Sequence, residues 1–336
     1  MMVANNTSDL SSKCVASTGT IHVAVSYLYI FEFPIALFLN GVSAWLSLHI
    51  RSTSTLIVYV KNQVAANLLM TLMLPPMAAS LLPGAAVELR AFACRYSNVV
   101  FYGSLYASIS LTGLISLDRF FKIVRPFGKV LGQNVTFSLV MSTLVWAVLL
   151  GSTVIPTIIL TDRSPGNYSG DFCLSLKSPA GQKLQAFVVL FMEILFWFVS
   201  VLIVFCYICI TVKVVQSFRN SGSKNSRGTK KTKLRVFLVL LVFFVCFMPL
   251  HIMRIPFTLY EFSDDKDCAD MWLVAAHKIT LWMSSTNICL DPLLYSYLSK
   301  KYRDKLVSIL KAGGILVGLS SGENEEVSLD EKKVRD

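Results

Sequence analysis

Charge is scarce in this sequence, and acid scarcer still: 15% of the 336 residues are charged, with 20 Asp or Glu against 31 Lys or Arg. Soluble domains carry nearer a quarter, so a water-soluble globule is excluded. Strict two-residue alternation is missing, which argues against a membrane barrel. A short apolar N-terminal stretch with a basic flank is also missing, so no cleaved signal peptide is expected and the first span serves as the insertion signal. There is no His-Glu-x-x-His string. Cys206 and Cys209 form a Cys-x-x-Cys in mid-span without companions, and Gly318-Leu319-Ser320-Ser321-Gly322 matches a nucleophile elbow only in a polar tail. No enzyme, cofactor or metal centre is expected. Neither a repeat of the spans nor a pair of broken helices is evident, which counts against a transporter, the non-receptor alternative.

What the chain has in abundance is apolar residues, 54% of the total, with 22 Phe, 12 Tyr and 5 Trp; this rules out disorder as the dominant state. Seven stretches are long enough to cross a bilayer as helices: Ile21–His49, Leu56–Leu82, Cys94–Lys122, Val135–Leu160, Leu184–Lys213, Leu234–Tyr260 and Trp272–Leu298. The expected architecture is all-α: an outer segment over 1–20, a seven-helix bundle over 21–298, an amphipathic surface helix over 299–311 and a disordered tail over 312–336. In the surface helix, Tyr302, Leu306, Ile309 and Leu310 are expected toward lipid. No cysteine follows it for palmitoylation, and Ser320, Ser321 and Ser328 are phosphorylation candidates.

The net charge of +11 reports orientation rather than nucleic-acid binding. Eight Lys and Arg and no acid lie between spans five and six, from Lys213 to Arg235, and further cations follow spans three and seven. These ends are expected in the cytosol, near anionic lipid heads; seven spans then place the N-terminus outside. Sequons at Asn5, Asn6 and Asn167 fall on the outer face, whereas the one at Asn134 falls on the cytosolic edge and is expected unmodified. Cys14, Cys94, Cys173 and Cys268 are also outside, where disulfides persist, and four cysteines permit three pairings.

Asp118-Arg119-Phe120 ends span three, Cys246-Phe247-Met248-Pro249 lies in span six, and Asp291-Pro292-Leu293-Leu294-Tyr295 lies in span seven. With seven spans, the chain resembles the rhodopsin-like G-protein-coupled receptors. Phe101-Tyr102, Leu105 to Ser110, Arg125-Pro126-Phe127, Leu176-Lys177-Ser178 and His251 to Phe257 make it similar to the purinergic branch, the receptors for ADP and UDP-sugars with their orphan relatives. The resemblance implies a plasma-membrane receptor with disulfides Cys94–Cys173 and Cys14–Cys268. It also implies a heterotrimeric G protein of the inhibitory class as partner, and adds arrestin. The alternative within this fold is an orphan-like receptor for a lipid or peptide, or one that signals constitutively.

Ionisable residues inside a span usually face a cavity and have partners. His251 and Arg254 share a face of helix six. Together with Lys177, Gln185, His277, Lys278 and the aromatic Tyr102 and Tyr106, they are expected to form a basic pocket for a small extracellular anion carrying a ring. The competing reading pairs Arg254 with Glu193. The nucleotide-sensing pattern is not complete: Gln185 stands for its His, Val189 and Thr157 for its two Asn, and His277-Lys278 for its Lys-Glu, with Lys278 turned about 100° from the matching position. Asn67 stands where most relatives have the Asp of a sodium site. Either sodium binds weakly through Asp291, with Asn40, Ser110 and Asn287 as neutral oxygens, or Asn67 hydrogen-bonds Asp291 and no sodium enters; the second is favoured. On the cytosolic side, the resemblance has Arg119 held by Asp118 at rest and released toward Tyr207 as helix six, kinked at Pro249, swings outward; Phe247, Pro292 and Tyr295 complete the switch.

Overall fold

The computed structural model describes residues 3–51, 54–124, 134–164, 172–220, 226–263, 271–298 and 300–312, with side chains over 19–51, 54–124, 134–164, 172–217, 237–263, 272–295 and 302–308. Outside these fall Cys268, Asn167 and the tail serines, as do the side chains of Asn5, Asn6 and Cys14.

Helices account for nearly all of what is described. They are α1 Val3–His49, α2 Thr55–Leu81, α3 Val87–Val124, α4 Val135–Ile159, α5 Pro179–Asn220, α6 Ser226–Phe262, α7 in two pieces at Met271–Ser285 and Asn287–Leu298, and α8 Lys300–Ala312. Among the described residues, six of these rods contain a stretch long and apolar enough to cross a membrane unbroken. The seventh is interrupted at Thr286, where the Cys289 amide bonds the Thr286 carbonyl at 3.0 Å in a tighter turn. The expectation of one continuous seventh span did not include this break. α3 and α4 each contain one wide turn of the π type, at Ala93–Ser97 and Leu150–Val154.

α3 is the central rod, in contact with α2, α4 and α5, while α1 packs on α2 and α7. Gly113 permits the close approach of α3 to α5: a Cβ there would lie 2.9 Å from Val199 Cγ1. At Gly84 the turn after α2 takes φ of 78°, a conformation that favours glycine. Apolar surface buried between the rods includes Phe101, Leu105, Phe196, Phe243 and Phe247 in the larger core, and Leu46, Tyr59, Leu111, Ile115 and Tyr295 toward the α8 end. The large apolar side chains left outside, such as Phe31, Phe38, Leu48, Phe198 and Leu259, are the surface that lipid solvates.

Proline removes a helical donor, and the bundle supplies a replacement. Pro292 has no amide hydrogen for the Ile288 carbonyl; Asn40 of α1 donates to that oxygen at 2.9 Å instead. α8 requires a correction. Tyr302 does not face lipid: it is buried, its hydroxyl 2.9 Å from Ser47 Oγ and donating to the Ser43 carbonyl at 2.5 Å, and its ring meets Tyr295 edge-on. The helix is therefore pinned to α1 through Tyr302.

Cys94 and Cys173 form a disulfide across a separation of 79 residues, with Cα atoms 5.3 Å apart, tying α3 to the segment before α5. Removing it with Cys173→Ser is expected to destabilise the protein by about 2–5 kcal/mol, read as a lowered Tm of the detergent-purified protein.

Candidate functional site

Near the Cys94–Cys173 bond, a cavity of about 570 Å³ opens among all seven rods, α1 to α7. Its wall carries four cations, Arg90, Lys177, Arg254 and Lys278, against one carboxylate, Glu261. Arg254 is ordered by aromatic neighbours. Its guanidinium carbon lies 4.2 Å from the Tyr102 ring centroid, and Nη1 lies 3.4 Å from His277 Nε2. The Tyr102 hydroxyl is 3.4 Å from the same nitrogen, and the His277 ring stacks on Phe257 at 3.9 Å. α3, α6 and α7 thus meet in one aromatic and cationic stack. On the opposite wall, Lys177 Nζ donates to Gln185 Oε1 at 2.6 Å.

Seven of the eight expected residues, Tyr102, Tyr106, Lys177, Gln185, Arg254, His277 and Lys278, line this cavity. His251 is outside that lining. It is buried beneath the floor, its Nδ1 2.7 Å from the Phe247 carbonyl and its Nε2 3.1 Å from the Tyr106 hydroxyl, with its ring stacked 3.5 Å from Phe196. It positions Tyr106. Thr157 lines the wall and Val189 does not. Lys278 reaches the cavity despite its turn from His277, because the opening spans enough of the α7 circumference to take both. The Arg254–Glu193 ion pair is not made among the described residues; both carboxylate oxygens of Glu193 are buried without a hydrogen-bond partner. Arg90, His22 and Tyr29 also line the cavity and were missed; for Arg90 the available signal was its place four residues before Cys94.

In the middle of the bundle, Asp291 is enclosed by donors. Gln63 Nε2 approaches Oδ2 at 3.0 Å, Asn67 Nδ2 at 3.1 Å and the Tyr295 hydroxyl at 3.2 Å. Asn287, with its amide nitrogen turned toward the carboxylate, donates at 2.8 Å. The Asn67–Asp291 bond is thus present. Two expected oxygens are elsewhere: Ser110 bonds the Tyr106 carbonyl of its own helix, and Asn40 faces Ile288. Ser108, two residues before Ser110, accepts from Gln63 at 2.7 Å in its place. Gln63 was legible as the residue four before Asn67, hence on the same face.

At the far end of α3, the Asp118 carboxylate accepts from Lys122 Nζ at 2.8 Å and from Thr55. Among the described ion pairs, its partner is therefore Lys122 rather than Arg119. Tyr207 is buried and within electrostatic reach of Arg119. Pro249 lies inside α6, near Phe243, which packs on Phe247 and stacks with Phe196.

Residues 41–295 match the family described as the 7 transmembrane receptor (rhodopsin family). The chain belongs to that family: it is a multi-pass membrane receptor that couples to G proteins, not an enzyme. Among its relatives it is 39% identical to purinoceptor 13 of Homo sapiens over 297 residues, 88% of this chain and 84% of that protein. It is 35% identical to G-protein coupled receptor 87 of Mus musculus over 309 residues, 90% and 86% of the two chains. With purinoceptor 14 of Bos taurus it shares 32% over 307 residues, 91% and 90%. The receptor is purinoceptor-like over most of its length, and the transporter alternative is not favoured.

The donors around Asp291 leave a cation little to bind. Ligand-free guanine-nucleotide exchange is expected to be the same in sodium and potassium buffers, and Asn67→Asp is expected to introduce a sodium dependence. A strong sodium dependence of the unaltered receptor, abolished by Asp291→Asn, contradicts this assignment.

Proposed function

We propose that this receptor binds an extracellular small anion carrying a ring, a nucleotide or nucleotide sugar, and activates a G protein of the inhibitory class. The observation that carries the proposal is the cavity wall: four cations against one carboxylate, with the Arg254 guanidinium carbon 4.2 Å from the Tyr102 ring centroid. Such a guanidinium keeps its N–H fork for phosphate or carboxylate oxygens, while the aromatic stack offers faces to a base. The volume is within the range of small-molecule sites.

The orientation follows from the same features. A disulfide at the cavity end fits an oxidising outer face, which supports a reading with the cavity and the N-terminus outside and the cation-rich ends of α3 and α5 in the cytosol. The inhibitory class rests on the likeness to purinoceptors, and arrestin and anionic lipids on the general features of such receptors. Gln185, Val189 and Thr157 reduce the polar contacts available to a nucleotide, each worth about 1.5–3 kcal/mol where charge is involved, which keeps an anionic lipid or a peptide as the second reading.

Cells expressing the receptor are to be challenged with ADP, UDP-sugars and anionic lipids, with cyclic AMP as readout. A nucleotide or nucleotide sugar is expected to act, and Arg254→Ala to reduce its potency roughly 10- to 100-fold. An agonist equally potent on Arg254→Ala defeats the anionic-pocket assignment; response to the lipids alone favours the second reading.

A further inference from the structure

α1 carries one acid inside its apolar run, Glu32 in Ile30-Phe31-Glu32-Phe33. An ionisable side chain at that depth needs a partner within the protein, and Glu32 is buried. Its partner is on α7: Ser285 Oγ lies 2.6 Å from Glu32 Oε2. The same Oγ lies 2.6 Å from the Trp282 carbonyl oxygen. A hydroxyl has one hydrogen to donate, so two short contacts to two oxygens are both satisfied only when one of those oxygens brings a proton. The carbonyl has none; the Glu32 carboxyl can. A protonated Glu32 completes an unbroken chain from carboxyl to serine to carbonyl and places no net charge in the bundle.

The location gives this chain its consequence. Ser285 is the last residue of the first α7 piece, directly before the break at Thr286. Below the break, Asn40 holds the Ile288 carbonyl; on the other side, Ser284 Oγ donates to the Cys246 carbonyl of α6 at 2.8 Å. The break is therefore gripped by α1 above and below and by α6 from the side. Among the described residues, the Tyr29 hydroxyl nearby makes no hydrogen bond in this conformation and Glu32 Oε1 has no well-formed one, while the Trp282 indole N–H is directed at the Glu32 carboxyl group. Tyr29 is one helical turn above Glu32 and lines the ligand cavity, as does Leu281, the neighbour of Trp282. An element with buried polar groups left incompletely satisfied has a second arrangement available to it, and the two arrangements differ in free energy by what those groups gain or lose.

We propose that Glu32, as a neutral acid, is a positioning residue for signalling: its bond to Ser285 clamps the α7 break in the resting arrangement, and loosening it releases the cytosolic half of α7. This is taken as the resting arrangement because Tyr295 is tied inward to Asn67 and Asp291. The inference rests on G-protein coupling, not on the identity of the ligand, so it stands or falls apart from the anionic-pocket proposal.

The test is ligand-free nucleotide exchange on whichever heterotrimer the unaltered receptor turns over, normalised to receptor at the cell surface. Ser285→Ala and Glu32→Val are expected to raise it roughly two- to tenfold, the span one such hydrogen bond contributes to an equilibrium. Glu32→Gln, which stays neutral and keeps both a donor and an acceptor, is expected to stay near the unaltered level. In the infrared spectrum, a protonated-carboxyl band is expected to disappear in Glu32→Gln. Should Glu32→Val fail to reach the surface, Ser285→Ala and Glu32→Gln still decide. Unchanged exchange in Ser285→Ala overturns the clamp, and a Glu32→Gln receptor as active as Glu32→Val, or one retaining the full carboxyl band, overturns the neutral acid.

Discussion

A hydrogen-bonding group freed inside a bilayer has no water to turn to, and several such groups in this receptor are answered by another helix. Pro292 frees the Ile288 carbonyl and Asn40 answers it. Asp291 brings a carboxylate into the centre, and Gln63, Asn67, Asn287 and Tyr295 converge on it. Glu32 brings a second, and Ser285 meets it. Apolar packing between rods is permissive in lipid because tails solvate the same surface equally well. These polar contacts are not permissive, and they fix which faces of α1, α2 and α7 oppose one another.

The same contacts decide where the bundle bends. α7 tightens at Thr286, where its amide still bonds the Trp282 carbonyl and its carbonyl takes both the Cys289 and Leu290 amides, and it lacks a donor at Pro292; α1 and α6 add contacts to the joint from outside. A break stabilised by side chains of other helices responds to whatever moves those helices. The cavity residues sit on the same rods: Arg254 on α6, His277 on α7 and Tyr102 on α3 form one stack, and Tyr29 of α1 completes the wall. A ligand that binds one arrangement of these rods more tightly shifts the population toward it, and the G protein must alter ligand affinity by the same factor.

The spans were legible because hydropathy over twenty residues is a strong signal. The break in the seventh was not, because Thr286 is neither Gly nor Pro and its hydroxyl bonds the Met283 carbonyl of its own helix at 2.6 Å, a local choice that composition does not reveal. Tyr302 shows a different limit. An amphipathic pattern says that a residue lies on the apolar face, but does not say whether lipid or the bundle covers that face; Ser43 and Ser47, some 255 residues away in sequence for the latter pair, decide it. Ser110 and Ser108 differ by two positions, about 200° around a helix, so choosing the wrong serine placed the oxygen on the opposite side of α3. The cavity was read well because cations in spans are rare enough to be informative. Glu32 carried the same signal in its isolation within an apolar run.

Asp118 illustrates how helical geometry selects among neighbours. Arg119 follows it directly, which turns its side chain about 100° away, whereas Lys122 is four residues on and lies over the same face. With Thr55 of α2 as a second donor, the carboxylate is satisfied without Arg119. Arg119 lies within electrostatic reach of Tyr207 instead. Pro249 and the tighter turn at Thr286 are the places where α6 and α7 depart from regular helix. The hydrogen bonds that α1 and α2 make to α7, from Asn40, Gln63 and Asn67, brace those rods inside the membrane.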